Sequence, residues 1–203
     1  MAPKVISYGL TFFCIKFSIY ALLLWMPLFL SQALSYSNTE IANLLTVQEL
    51  TTLLGTCTIG PLTDAMRGRR SPILMSAICF SSIVCLYLTI KYEELSKSGM
   101  MAVMGLLGFS FGSIYHIVNI TCCADLGKEQ VGKSATATIA GIVDGFGSVG
   151  TATGMLLLGY FIQSFGYQYG FLLVITFMIT LTLVPLSVVM AKEIRDIQRA
   201  GQP

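Results

Sequence analysis

Four ionisable residues stand inside long apolar stretches of this chain: Lys16, Glu49, His116 and Asp144. At the centre of a bilayer such a group costs about 2.5–3.5 kcal/mol on insertion scales, so each is a functional candidate by default. Each belongs to a stripe at helical spacing. Phe12, Phe13, Lys16 and Tyr20 form one face, and Thr46, Glu49, Thr52 and Thr56 a second. Gly112, His116, Asn119 and Cys123 form a third, and Ala140, Asp144, Ser148 and Thr151 a fourth. These stripes read as the walls of a hydrated cavity in which one cation, Lys16, stands against two potential anions, Glu49 and Asp144, a poor site for a dianion on its own. The alternative is polar glue between helices, such as a Lys16–Glu49 or Lys16–Asp144 pair. No nucleophile–base pair and no metal-ligand spacing accompanies them, so neither an enzyme nor a cofactor is expected.

The elements that must position these residues follow from composition. The chain has 203 residues, 55% hydrophobic and 11% charged, with a mean hydropathy of +0.77. Soluble domains carry about 25% charged residues, and disordered chains combine low hydrophobicity with high net charge. Both classes are excluded. A net charge of +2 is too balanced for a nucleic-acid partner. A spanning helix needs about 20 apolar residues, and six such runs can be read, over 5–30, 41–62, 72–90, 100–123, 135–162 and 169–191. The prediction is an all-α membrane protein, one six-helix domain over 1–203, with no room for a soluble catalytic unit. With the N-terminus inside, nine Lys and Arg fall on that side against Lys91 and Lys97 on the other. This bias places both termini in the cytoplasm. The six cysteines lie in or at the ends of the apolar runs, which argues against a disulfide framework.

Small residues mark the fifth run. Ala137, Gly141 and Gly145 recur every four residues, as do Gly150 and Gly154, with Gly147 between them. This spacing permits close helix approach, and so many glycines around one Asp also suit a helix that slides or bends. Pro185 and Gly60-Pro61 are expected to mark kinks. The connection after the second run reads Gly60-Pro-Leu-Thr-Asp64-Ala-Met-Arg67-Gly68-Arg69-Arg70. It resembles the major facilitator loop signature, with three residues between Asp64 and Gly68 where the usual pattern has two. Asp64 with Arg67, Arg69 and Arg70 reads either as a conformational latch or as a cluster that only sets topology. Polarity along the six runs goes polar, polar, apolar, twice over. Two three-helix repeats would give that order, as in each six-helix half of a major facilitator transporter.

Further motifs narrow the resemblance. Ala124-Asp125-Leu126-Gly127 followed by Ile142-Val143-Asp144-Gly145-Phe146-Gly147-Ser148-Val149-Gly150 is similar to the tenth and eleventh helices of the sugar-phosphate exchanger family, in the organophosphate:phosphate antiporter class. Lys16 ahead of Leu24-Trp25-Met26-Pro27-Leu28 resembles that family's seventh helix, and Glu49 falls fifteen residues before Asp64. The resemblance implies the C-terminal half of an antiporter that exchanges a sugar phosphate or other organophosphate against inorganic phosphate by alternating access. It implies Lys16 as a phosphate ligand opposite a basic residue of an absent N-terminal half, and the endoplasmic reticulum, plasma or another organelle membrane as the location. Lys16, Tyr20, His116, Asn119 and Asp144 are then the candidate substrate-binding residues. Glu49, Asp64, Arg67, Arg69, Arg70, Gly141 and Gly145 are the candidate structural or gating residues. Two other readings stay open: a transport-incompetent half acting through association, and a carrier for another solute in which Glu49 or Asp144 cycles a proton.

Overall fold

A computed structural model of the chain describes the backbone of residues 3–65, 70–122 and 136–200, and the side chains of 5–65, 70–120 and 137–195. The described residues are helical almost throughout, with no strand among them. Helix α1 is Pro3–Leu34, α2 Asn38–Ala65, α3 Ser71–Lys91 and α4 Lys97–Leu107. The α4 rod continues through a π-helical turn, Gly108–Gly112, the short α5, Ser113–Ile117, and a second π turn, Val118–Cys122. Helix α6 is Thr136–Tyr167. A π turn, Gln168–Leu173, then leads into α7, Val174–Leu181, and α8, Leu183–Ala200.

Several ends fall outside the predicted apolar windows because caps are made by polar residues. Helix α1 runs past residue 30 to Leu34, where Ser35 takes a φ of 54° and the Tyr36 N–H returns to the Leu30 carbonyl at 3.0 Å. A last-turn carbonyl is thereby satisfied. Helix α2 starts at Asn38 rather than 41 because Ser37 and Glu40 form a capping box. The Ser37 N–H donates to Glu40 Oε2 at 2.9 Å, and the Glu40 N–H reaches Ser37 Oγ at 3.4 Å. Ser96 caps α4 by accepting the Gly99 N–H at 3.1 Å. Helix α6 passes its predicted end at 162 and turns at Gly166, whose φ of 72° suits only glycine at little cost. The rod after it breaks at Thr182, three residues before Pro185, as expected where proline removes a donor and crowds the preceding turn. The predicted starts and ends at residues 123 and 135 lie outside the described residues.

Helix pairing follows from contacts along each rod. Helices α1 and α6 run parallel: Gly147 meets Phe12 and Lys16, Gly154 meets Phe17, Gly159 meets Trp25, and Tyr167 donates to Gln32. Helices α2 and α4 also run parallel, from Lys97 on Glu40 to Gly112 on Thr52. Helix α3 lies antiparallel to the α7–α8 rod, with Thr89 3.0 Å from Thr176 and Ser71 bonded to Glu193. The core between the pairs is built from fully buried Phe12, Met26, Phe29, Phe111 and Phe171.

The outer faces carry Ile83, Ile90, Leu156, Phe177 and Val184, each at least 60% exposed. Contiguous apolar faces of this kind suit lipid rather than water. Four segments are long and apolar enough to cross a membrane: Val5–Leu34, Ser71–Lys91, Lys97–Ile120 and Ala137–Arg195. The last contains the turn at Gly166. Helix α2 is not among them, since five threonines with Gln48 and Glu49 dilute its hydropathy between residues 46 and 58.

Candidate functional site: an ion pair beside a polar cavity

Glycines let α1 and α6 approach until their charged residues meet. A Cβ on Gly147 would lie 2.6 Å from Lys16 Cδ and 2.7 Å from Phe12 Cδ1, and one on Gly150 would strike the Phe13 carbonyl. Lys16 is thereby pressed against α6, and its Nζ donates to Asp144 Oδ1 at 2.7 Å. The two ends of this pair differ. The Lys16 side chain is 8% exposed and that of Asp144 46%. The ammonium is fixed in the wall while the carboxylate faces open space, so the pairing of Lys16 falls to Asp144 and not to Glu49. Lys16 Nζ also sits 5.3 Å from the Phe12 ring centroid, a cation–π contact that holds the ammonium without neutralising it.

Aromatic residues carry the site across to α5. Phe12 stacks on Tyr115 with centroids 5.6 Å apart and planes 10° from parallel, and Tyr115 meets His116 edge-on at 5.0 Å. Tyr115 and Tyr20 both line the space beyond. Beyond Tyr20 and Tyr115 opens a cavity of about 170 Å³, lined also by Gln48, Glu49, Thr52, Gly112 and His116. Its floor is set by another close approach. Gly108 and Gly112 of the rod pack on Gln48 and Thr52, and Thr52 Oγ1 donates to the Gly108 carbonyl at 3.1 Å. A π turn occupies that stretch of the rod, and such turns often occur at functional sites.

The candidate residues from the sequence therefore separate. Tyr20, His116 and Glu49 line the cavity, while Lys16 and Asp144 pair beside it and do not line it. Asn119 is half-buried and does not line the cavity. It sits in the second π turn, and the extra residue per turn carries it off the face shared by Gly112 and His116. Gly141 and Gly145 have open space over their Cα atoms and border an apolar groove with Leu10, Phe13 and Phe146, so close packing falls to Gly147, Gly150 and Gly154 instead. Asp64 pairs with Arg70, which also donates to Thr63 Oγ1 at 2.9 Å. Arg67 and Arg69 lie outside the described residues.

Three participants were not singled out from the sequence. Gln48 lies one residue before Glu49, off the threonine stripe, and its backbone carbonyl accepts from Thr52 Oγ1 at 2.9 Å. Tyr115 was hidden beside His116. Glu193 lies beyond the sixth apolar run. It accepts from Ser71, and Lys192 beside it donates to Ser7 Oγ at 3.2 Å, tying α8 to α3 and α1 at the end where Asp64 meets Arg70. Cys14, Cys57, Cys79 and Cys85 are free thiols.

The Major Facilitator Superfamily model matches residues 8–201. The chain belongs to that superfamily. Among proteins it resembles, sugar phosphate exchanger 3 of Gallus gallus is 28% identical over 196 residues, covering 95% of this chain and 38% of that protein. Sugar phosphate exchanger 3 of Homo sapiens is 28% identical over 197 residues, covering 95% and 39%. Putative glycerol-3-phosphate transporter 4 of Arabidopsis thaliana is 30% identical over 182 residues, covering 86% and 33%. This superfamily member thus spans less than two-fifths of the length of these curated relatives. No solved structure matches it.

Proposed function

We propose that the chain is the C-terminal half of a secondary transporter that exchanges a sugar phosphate or other organophosphate against inorganic phosphate. It spans the membrane six times as two three-helix repeats, forms one domain over 1–203, and keeps both termini cytoplasmic. The endoplasmic reticulum membrane is the first choice of location. Its partner is an N-terminal six-helix half or another subunit, against which it rocks for alternating access. The observation that carries this reading is the Lys16–Asp144 pair, with its cation buried and its carboxylate half open. An incoming phosphate can take the ammonium from Asp144, which then turns to solvent at small cost. When the anion leaves, Asp144 returns and no bare charge is left in the wall. Substrate and internal carboxylate thus alternate on one cation. Tyr20 and His116 supply further hydrogen bonds, and the Asp64–Arg70 pair is the cytoplasmic latch.

The test is counterflow of labelled phosphate in proteoliposomes holding the complete carrier. Lys16→Arg should retain exchange and Lys16→Ala should lose it while still reaching the membrane. Equal exchange by Lys16→Ala and wild type would reject the ligand role. A misfolded Lys16→Ala that Asp144→Asn rescues would favour a purely structural pair.

A further inference from the structure

We infer that the cavity between α1, α2 and α5 is an acceptor-lined subsite that takes the hydroxylated, phosphate-free end of the substrate, with Gln48 and Glu49 choosing it. Gln48 is only 4% exposed, lines the cavity, and its Oε1 is buried with no hydrogen-bond partner. Leaving such an atom unpaired costs about 1–3 kcal/mol; the oxygen is itself shut off from the cavity, and a turn of the amide that brings it to the cavity wall lets a donor there complete it. Glu49 is exposed to the same space and has no ion pair or hydrogen bond among the described residues. A carboxylate and an amide oxygen both accept. A phosphate brings acceptors and negative charge, so this wall repels it. A polyol brings O–H donors, so the wall receives it.

The remaining lining fits the same occupant. Tyr20 and His116 can each donate or accept, while Ile19 and Leu23 supply apolar surface for ring or chain carbons. A volume of about 170 Å³ is more than ten times the roughly 10–15 Å³ that admits a single water, so several hydroxyl-bearing carbons fit. Tyr115, which lines the cavity, stacks on Phe12, and Phe12 lies against the Lys16 ammonium, so one molecule can lay its phosphate on Lys16 and its hydroxyls on Gln48 and Glu49. Inorganic phosphate would use only the first. This assignment rests on the organophosphate reading and adds to it the part of the site that separates the two substrates.

The experiment compares glucose 6-phosphate with methyl phosphate, which has a phosphate but no hydroxyl chain, as inhibitors of labelled phosphate–phosphate exchange by the complete carrier. Wild type should be inhibited at a glucose 6-phosphate concentration at least tenfold below that of methyl phosphate. Gln48→Leu should keep phosphate–phosphate exchange and bring the two inhibitors to within about twofold. Glu49→Ala faces open space, cannot collapse the core, and should narrow the gap in the same direction. Equal inhibition of wild type by the two compounds, or an unchanged gap in both variants, would overturn the subsite. Melting of the detergent-solubilised protein gives a readout free of transport. Glucose 6-phosphate should raise Tm more than methyl phosphate in wild type and equally in Gln48→Leu. A carrier that shows this Tm difference but no phosphate exchange would sink the antiport reading and keep the subsite. Exchange without the Tm difference would do the reverse.

Discussion

Two interfaces of the molecule use one device and reach opposite ends. Between α1 and α6, Gly147 and Gly150 bring the backbones so close that Lys16 is driven onto Asp144. Between α2 and the α4–α5 rod, Gly108 and Gly112 do the same against Gln48 and Thr52. There the approach leaves Gln48 Oε1 unpaired and Glu49 facing a cavity. Glycine contact alone therefore does not decide what an interface is for. What decides is whether the polar groups it brings together satisfy one another. The first interface is complete without a ligand and must be opened by one, while the second is incomplete until one arrives.

The largest effect should come from closing the first interface to its glycine. Gly150→Leu places a side chain into the Phe13 carbonyl, and backbone cannot yield as a side-chain tip can. Overpacking of this kind costs about 1–3 kcal/mol or more, so size-exclusion chromatography in detergent should show aggregated protein. Gly145→Leu, with open space over its Cα, should elute as wild type. If Gly145→Leu aggregates as well, the groove it borders is filled by a partner and the contrast between the glycines fails.

A second prediction tests whether the ion pair is poised. Asp144→Asn should insert normally but leave Lys16 without its internal anion. Phosphate should then half-saturate at a concentration about tenfold lower, equivalent to about 1.4 kcal/mol, with slower turnover in counterflow because release is not assisted. Wild-type saturation and rate in that variant would show the pair to be scaffolding. At the second interface, Thr52→Val removes the bond to the Gly108 carbonyl while keeping shape. A net loss of about 1 kcal/mol is expected in detergent unfolding. A loss several times larger would mean that the cavity collapses without it.

The smallest effect lies at the outer ends of α2 and α4, where Glu40 bonds to Lys97 and to the Ser37 cap. These bonds, the Lys97 one foremost, hold the Glu40 carboxyl down at about 2 from a usual 4.5. The stabilisation is present above the ordinary carboxylate range and is lost as pH falls through about 2. Glu40→Gln should therefore melt slightly below wild type at pH 7, and the difference should shrink as pH falls below about 4.5. A difference that grows on acidification would contradict the assignment.

Most of the helices were legible in the sequence because apolar runs report burial and length directly. Their ends were not, because Ser37, Ser96 and Gly166 act through caps and backbone angles outside those runs. The site was legible where charge made it so. Lys16 and Asp144 stood out as costly groups, and their mutual contact was one of two pairings the residues allowed. Gln48 did not stand out, since an uncharged amide beside a Glu draws no attention until burial leaves its oxygen alone. Glu193 escaped because it belongs to the helix but not to the apolar segment within it. The glycines were visible as a group, yet helical phase separates those that meet α1 from Gly141 and Gly145, and the repeat alone does not show which phase faces the neighbour.

The π turns of the α4–α5 rod have one more consequence. A residue beyond the usual 3.6 per turn is an angular offset of about 100° imposed on everything downstream. Gly108–Gly112 sets the bearing of His116, and Val118–Cys122 resets it for the residues that follow. The rod thus behaves as a shaft with two couplings. Relaxing the first to ordinary helix would swing the imidazole out of the cavity while lengthening the shaft by only one residue's rise, about 1.5 Å. A carrier of this kind could change what lines its cavity by rotation within one helix, separately from any rocking of one half against the other.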